Sequence, residues 1–408
     1  MAEAYIIDAC RTPRGIGKQG KGALAHLHPQ HLGRTVLEAL AERNSFDTAH
    51  VDDVIWGTSS QVCEQSGDLG RMSALDAGYD VKASGVTLDR FCGSGITATN
   101  MAANAVMAGM EDLVVAGGCE MMSLPKKGLL PMGANNPHLD ELHPQSHQGV
   151  CADAIASLEG IPRTALDALA AESQRRAEVA INEGRFDKSL IPVLNPEDGS
   201  IALDREQFPR PGTTAESLAK LAPSFPAIAD YRPTPESRSM REQITAKFPD
   251  LEIEHVHHAG NSSGVVDGAA AILMASAEYA QANGLTPRAR IVATANMGDD
   301  PTLMLNAPVP AARKVLQRAG LTIDDIDVFE INEAFAVVAE KFMRDLDLDR
   351  DKVNVNGGAM ALGHPIGATG AMLIGTALDE LERTDGQFGL ITMCAGGGMA
   401  PAIVIERI

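Results

Sequence analysis

A cysteine and a histidine occupy the same relative place in two related stretches of this 408-residue chain. Val51-Asp52-Asp53-Val54 leads to Cys92 in Phe91-Cys92-Gly93-Ser94-Gly95-Ile96-Thr97. Ile323-Asp324-Asp325-Ile326 leads to His364 in Gly363-His364-Pro365-Ile366-Gly367-Ala368-Thr369. The interval is the same in both, from 51 to 92 and from 323 to 364, and one shift of 272 (364 − 92) also pairs Gly95 with Gly367 and Thr97 with Thr369. A duplicated unit thus offers a nucleophile and a base at equivalent positions. Two related domains packed about a pseudo-twofold axis bring such positions together, and a thiol beside an imidazole becomes a reactive thiolate.

Each segment also has a plainer reading when taken alone. Cys92 sits where a strand enters a helix, whose positive end favours an anion, and Gly93 and Gly95 let a ligand approach the backbone. It equally fits a small cysteine buried at a helix start. His364, between Gly363 and Pro365, fits a base or a turn residue. Cys394 stands at a strand end before Gly396-Gly397-Gly398, where open α/β sheets bind ligands. Asn332, after another apolar strand, suits an oxyanion or water donor, or a helix cap, and Glu333 suits a group that orients a neighbour.

The elements that must position these residues alternate between strand and helix. Strands are read at 4–8, 53–57, 88–91 and 113–116, with helices at 32–43 and 95–110, the second built of small residues that permit packing on both sides. The later half repeats this plan, with strands at 289–295, 326–331 and 390–393 and helices at 311–319 and 367–381. The pattern predicts an α/β fold with largely parallel sheets. Between the halves, the Pro-, His- and acid-rich region 119–254 has one clear helix, at 163–184, and reads as an inserted subdomain over the site. The expected division is 1–118 with 255–276, then 119–254, then 277–408.

Composition narrows the class. With 45% hydrophobic and 22% charged residues the chain reads as soluble and globular, and no apolar run is long enough to span a membrane. A net charge of −20 argues against nucleic acid and anionic membranes as partners. The six cysteines show no metal-ligand spacing and read as thiols in a reducing, cytoplasmic setting, with no metal site expected.

Together the motifs are specific. Cys92-Gly93-Ser94-Gly95, Asn332-Glu333-Ala334-Phe335-Ala336, the run from Asn356 to Gly367, Cys394-Ala395-Gly396-Gly397-Gly398 and Arg11-Thr12-Pro13 resemble the signature blocks of the thiolases, over nearly the whole chain. The resemblance implies two duplicated α/β halves in a five-layer αβαβα arrangement with a loop domain. It implies an acyltransferase that cleaves 3-ketoacyl-CoA with CoA to acetyl-CoA and a shortened acyl-CoA, reversibly. Cys92 becomes the acyl-carrying nucleophile, His364 its base, and Cys394 the acid/base on the acetyl α-carbon. Asn332, through a water, and His364 stabilise the thioester oxygen of acetyl-CoA. The backbone N–H groups of Cys92 and Gly396 hold the other oxyanion. Ser263, His147, Gln148, Arg210 and Met304 fall to substrate or CoA binding. Coenzyme A is a co-substrate with no bound cofactor, and a homodimer or homotetramer is implied.

Several positions depart from the family pattern. Asp89-Arg90-Phe91 stands where an asparagine is usual, Gln148 replaces a pocket methionine, His257-His258 replace small or hydroxyl residues, and Ala222 replaces a basic residue near the CoA nucleotide. A longer stretch, 226–258, carries an expected capped helix from Thr234 and the cations Arg232, Arg238, Arg241 and Lys247. These cations suit the CoA phosphates, the segment suits a narrowing of the acyl tunnel, and both suit a solvated or oligomer-contact helix. Gln148 and this insertion lean towards a degradative, β-oxidation type of enzyme for long or bulky acyl groups. The alternatives are an acetoacetyl-CoA-forming acetyltransferase, a decarboxylating condensing enzyme and a non-catalytic acyl-CoA-binding relative.

Overall fold

The computed structural model describes residues 3–125 and 132–408. The chain opens with β1 (Ala4–Arg11), β2 (Gly15–Ile16), α1 (Pro29–Asn44), β3 (Asp53–Gly57), α2 (Leu69–Asp76), β4 (Val86–Leu88), α3 (Ser94–Met107) and β5 (Leu113–Met121). An excursion follows, with α4 (Pro137–Leu142), α5 (Gln148–Leu158), α6 (Arg163–Asn182), the pair β6 (Val193–Leu194) and β7 (Ile201–Leu203), α7 (Ala215–Leu218), α8 (Pro226–Ala229) and α9 (Met240–Thr245). The chain returns through β8 (Val266–Ser276) and α10 (Ala277–Asn283). It then runs through β9 (Ala289–Gly298), α11 (Pro308–Ala319), β10 (Val328–Ile331), α12 (Ala336–Asp345), α13 (Ala359–Leu362), α14 (Ile366–Thr384), β11 (Phe388–Thr392) and β12 (Met399–Arg407).

The duplication is visible in the sheet. From a seam where only Tyr5 with Arg290 and Ile6 with Ala289 pair, the order runs β1-β8-β5-β3-β4 one way and β9-β12-β11-β10 the other. Directions match pair by pair: antiparallel for β1 with β8 and β9 with β12, parallel for β5 with β3 and β11 with β10. The place of β4 in the second half is held by Val353, which bridges Phe329 in parallel.

The sheet is therefore mixed, which corrects the expectation of largely parallel strands. β11 and β12 are joined by a tight turn through Gly397 and Gly398, both at φ 75°, and a hairpin can only be antiparallel. β5 and β8 keep that antiparallel pairing, with the whole excursion inserted where the other half has the Cys394-containing turn.

Strand alternation separates three cores. Val114, Ala116, Ala270, Ile272, Ile391, Ile403 and Ile405 face a central layer made by α3 and α14. Val115, Leu273 and Trp56 face α1, α2 and α10, while Phe329, Ile331 and Val404 face α11 and α12. Helix, sheet, helix, sheet, helix gives five layers. The two central helices cross at their duplicated glycines: a Cβ on Gly95 would stand 3.0 Å from the carbonyl oxygen of Gly367 and 2.8 Å from the Ala371 nitrogen.

Two local expectations fail. The fourth strand ends at Leu88 because Asp89 and Ser94 bend the next residues into a turn. No helix starts at Thr234, whose N–H and hydroxyl both bond the Ser237 hydroxyl. The helix begins at Met240, where Ser239 and Glu242 form a reciprocal cap.

Candidate active site

Cys92 is held by a strained turn. Phe91 has φ 50°, uncommon for a bulky residue, and its N–H donates to Asp89 Oδ1 at 2.6 Å. The Ser94 hydroxyl accepts the Arg90 N–H at 2.9 Å and donates to the Phe91 carbonyl at 2.7 Å. Asp89 and Ser94 thus fix the approach to the thiol, so the departure at Asp89 has a structural use. Cys92 is half-buried, just before the Gly93 N-cap of the 14-residue α3. Gly93 abuts Pro401 and the Ala395 side chain, so the turn leans on the segment carrying Cys394.

His364 precedes α14 as Cys92 precedes α3, and the crossing at Gly95 and Gly367 brings the two helix starts together. Its Nδ1 lies 2.6 Å from the Thr369 hydroxyl, which donates to the Pro365 carbonyl at 3.0 Å. A hydroxyl has one proton, so Thr369 accepts from Nδ1–H and the Nε2 lone pair is left for chemistry. Nε2 is buried and bonds no other protein group. Burial, and then the charge of Arg14, pull the imidazole down to about 3, so at rest it is neutral.

Asn332 and Cys394 lie at the same end of neighbouring parallel strands, the Asn332 N–H donating to the Thr392 carbonyl at 3.3 Å. Both polar atoms of the Asn332 side chain are buried without a protein partner, which suits a site meant to hold water or a substrate oxygen. Burial, with Cys92 adding to it, pushes the Cys394 thiol far up. At rest it is a protonated acid. Cys10, Cys119 and Cys151 are also buried and pushed up, but their thiols donate to the carbonyls of Val36, Pro29 and Thr302 away from these turns. Among the described residues no disulfide forms.

Glu333 is held by neighbours on three sides. Its carboxylate accepts the Ser173 hydroxyl at 2.7 Å, the Asn354 amide at 3.0 Å and the Met360 N–H at 3.2 Å, anchoring the loop that leads to His364. The Ser263 N–H donates to the Ala334 carbonyl at 2.9 Å and the His364 N–H to the Gly264 carbonyl at 2.9 Å, so the Ser263 loop is stitched to both signature segments. His147 caps α5 and stands 5.7 Å from the Phe225 ring, which meets Phe335 at 5.9 Å. Gln148 is exposed on the first turn of α5. Arg210 is exposed, its guanidinium 5.7 Å from the Phe208 ring that packs on Gly264. Met304 is buried in the outer core at φ 64°. Gly396 faces the Met132 sulfur and the Phe91 ring.

His257 and His258 are buried packing residues. His257 Nδ1 lies 2.8 Å from Asp153 and His258 Nε2 2.8 Å from Asp167. The cations of the 226–258 insertion are largely engaged within the protein: Arg232 with Glu242, Arg241 with Asp230 and His255, Lys247 with Asp300. Its apolar residues Met240, Ile244, Phe248 and Leu251 pack on the core that includes α5. The sequence reading missed Arg14 and Glu206, whose pairing across 192 residues leaves no local signal.

Two family models match the chain: the thiolase N-terminal domain over residues 4–229 and the thiolase C-terminal domain over 285–407. The chain belongs to the thiolase family. It is an acyltransferase, and it takes its place among thiolases of several substrates. It is 39% identical to a steroid 3-ketoacyl-CoA thiolase of Mycobacterium tuberculosis, covering 100% of this chain and 95% of that one. It is also 39% identical to a beta-ketoadipyl-CoA thiolase of Acinetobacter baylyi, over the full length of both. A crystal structure of a Bacillus anthracis acetyl-CoA acetyltransferase superposes with a TM-score of 0.85 at 32% identity, covering 100% of this chain and 99% of that one.

Proposed function

We propose that this thiolase cleaves 3-ketoacyl-CoA with CoA through an acyl-enzyme on Cys92. His364 Nε2 takes the Cys92 proton, and the thiolate attacks the 3-keto carbon. The bond between C2 and C3 breaks, its electron pair passes to C2, and the Cys394 thiol delivers the proton that makes acetyl-CoA. The acyl group stays on Cys92 until the CoA thiol gives its proton to the Cys394 thiolate and attacks the acyl carbon; the Cys92–acyl bond breaks, the Cys92 sulfur takes back the proton held on His364, and the shortened acyl-CoA leaves. Asn332 and His364 support the thioester oxygen as charge builds, and the Cys92 and Gly396 N–H groups support the tetrahedral oxyanion. The same groups run the condensation in reverse.

The observation that carries this reading is the convergence of the helix starts that bear Cys92 and His364, with the Cys92 turn leaning on the segment of the protonated Cys394. One sulfur attacks while the other donates, and a base serves the first. The ring run from His147 through Phe225 to Phe335 supports an acyl and pantetheine wall, with Ser263, Gln148, Arg210 and Met304 assigned to binding. The ion pairs of Arg232, Arg241 and Lys247 favour a wall over a phosphate clamp for the insertion. Residues 1–118 with 255–276, 119–254 and 277–408 serve as the three units. An oligomer is supported by the edge strand β4, bordered by exposed Val81 and Val86. Among the described residues no helix is long and apolar enough to cross a membrane, and the proposed role is that of a cytoplasmic β-oxidation enzyme.

The test is loss of 3-ketoacyl-CoA with added CoA, across short, long, branched and ring-bearing esters. Preference for long or bulky esters supports the degradative reading. Cleavage of acetoacetyl-CoA alone overturns it in favour of the short-chain acetyltransferase.

A further inference from the structure

The carboxylate of Glu120, near the end of β5, is buried where the two halves meet. One oxygen accepts the Ser59 N–H at 2.9 Å and the Gly367 N–H at 3.0 Å. The other accepts the Ser60 N–H at 3.1 Å and the Gln65 side-chain amide at 2.9 Å. Ser59, Ser60 and Gln65 lie in the stretch after β3, in the first half. Gly367 lies in the first turn of α14, in the second half, and follows His364 by three positions (367 − 364). A carboxylate suits the positive start of a helix, and its hydrogen bonds are of the strong, charge-assisted kind.

The surrounding backbone leaves little slack. A Cβ on Gly367 would stand 2.5 Å from the Gly57 carbonyl oxygen and 2.6 Å from the Thr58 Cα, and one on Gly118 would overlap the Gly367 carbonyl. The first turn of α14 is thus seated on the ends of β3 and β5. The stretch after β3 also reaches the nucleophile, because Asp89, which holds the Phe91 N–H, bonds the Ser59 side chain as well. The duplication shows that this tie is one-sided. Gly118 pairs with Gly57 as Leu390 pairs with Phe329, so the shift of 272 puts Thr392 at the place of Glu120 (392 − 120) and Gly95 at the place of Gly367. The Thr392 hydroxyl turns instead to the Pro401 carbonyl, at 2.8 Å. A carboxylate therefore holds the helix that follows His364, and a threonine stands at the matching place for the helix that follows Cys92.

We propose that Glu120 is a positioning residue for the thiolase reaction: it ties the first turn of α14 to the stretch that braces the Cys92 approach, and so sets His364 against Cys92. This rests on the reading of His364 as the base for Cys92. Glu120 bonds backbone N–H groups and one side-chain amide, so it acts through position and moves no proton itself.

The test follows alkylation of Cys92 by iodoacetamide at neutral pH in the full-length protein, with the adduct mapped by mass spectrometry. Wild type, Glu120→Gln, His364→Asn and the double variant form a cycle. Gln keeps the shape but turns an NH2 group towards donors that need an acceptor. The expected result is that Glu120→Gln slows Cys92 alkylation by about ten- to hundredfold, the scale of a small misplacement of reacting groups, and slows it no further in His364→Asn. Thiolysis by Glu120→Gln loses kcat while KM holds. Leu37→Ala, which opens the outer core away from both turns, keeps the wild-type alkylation rate. Glu120→Asp, one methylene shorter, is the second variant should the first fail to fold, and the same pattern is expected. A wild-type rate in a folded Glu120 variant overturns the proposal. Equal slowing in the His364→Asn background overturns it too, because the effect then lies in the Cys92 turn alone, and equal slowing by Leu37→Ala assigns it to stability. A failure of the underlying reading shows separately, as wild-type alkylation in His364→Asn.

Discussion

Replacing Thr369 by valine removes one atom's chemistry and keeps the shape, so its effect can be worked from the geometry. The hydroxyl receives Nδ1–H of His364 at 2.6 Å and donates to the Pro365 carbonyl at 3.0 Å. Thr369 is 1% exposed, so solvent does not take over these bonds. In Thr369→Val the Nδ1–H tautomer leaves a buried donor unsatisfied, at a cost of about 1–3 kcal/mol. The other tautomer puts the proton on Nε2, where it blocks the base. At about 1.4 kcal/mol per factor of ten, the acylation rate of Cys92 falls roughly ten- to hundredfold. Thr369→Ser keeps the hydroxyl and stays close to wild type. Single-turnover acylation by an acyl-CoA, read as CoA release, measures this. Wild-type acylation by a folded Thr369→Val enzyme would refute the tautomer argument.

Four further outcomes follow from the same structure. Cys394→Ala should retain acyl exchange between acyl-CoA and Cys92 while carbon–carbon cleavage drops by about 10²–10⁴, as expected for a lost general acid. Gly370→Ala should destabilise by about 3 kcal/mol, because its Cβ would overlap the backbone nitrogen of Ile96 at the helix crossing; denaturant titration reads this. Glu333→Ala, which strips the anchor from Ser173, Asn354 and Met360, should cost about 2–4 kcal/mol and weaken His364-dependent acylation along with stability. Burial raises the folded pKa of Asp267 to about 6, so its contribution to stability is complete below about pH 4 and lost as pH rises through 6. Asp267→Asn should therefore gain on wild type between pH 4 and 7 by about 1–3 kcal/mol in chemical denaturation, and a pH-independent difference would contradict this.

The offsets shared by Cys92 and His364 were legible because a duplication repeats spacing as well as residue type. That spacing paired Gly95 with Gly367, and the structure shows these to be the glycines at which α3 and α14 cross. Strand direction was not legible: β5 and β11 look alike in sequence, and only the hairpin at Gly397 and Gly398 shows that their partners run antiparallel. The start of α9 was missed because Thr234-Pro235-Glu236 and Ser239-Met240-Arg241-Glu242 both resemble caps, and packing of Ile244 into the core chose the second. Arg14 was missed because its partner Glu206 lies on the far side of the excursion. The protonation state of Cys394 was not legible, because burial, which no local motif encodes, dominates its proton affinity.

Intact-protein mass spectrometry tests the central claim most directly. The protein is mixed with a 3-ketoacyl-CoA ester, without added CoA, and quenched in acid. An adduct of the shortened acyl group, mapped to Cys92 and absent in Cys92→Ala, is the predicted result. Acetyl-CoA release without any adduct on Cys92, or an adduct that persists in Cys92→Ala, would contradict the account.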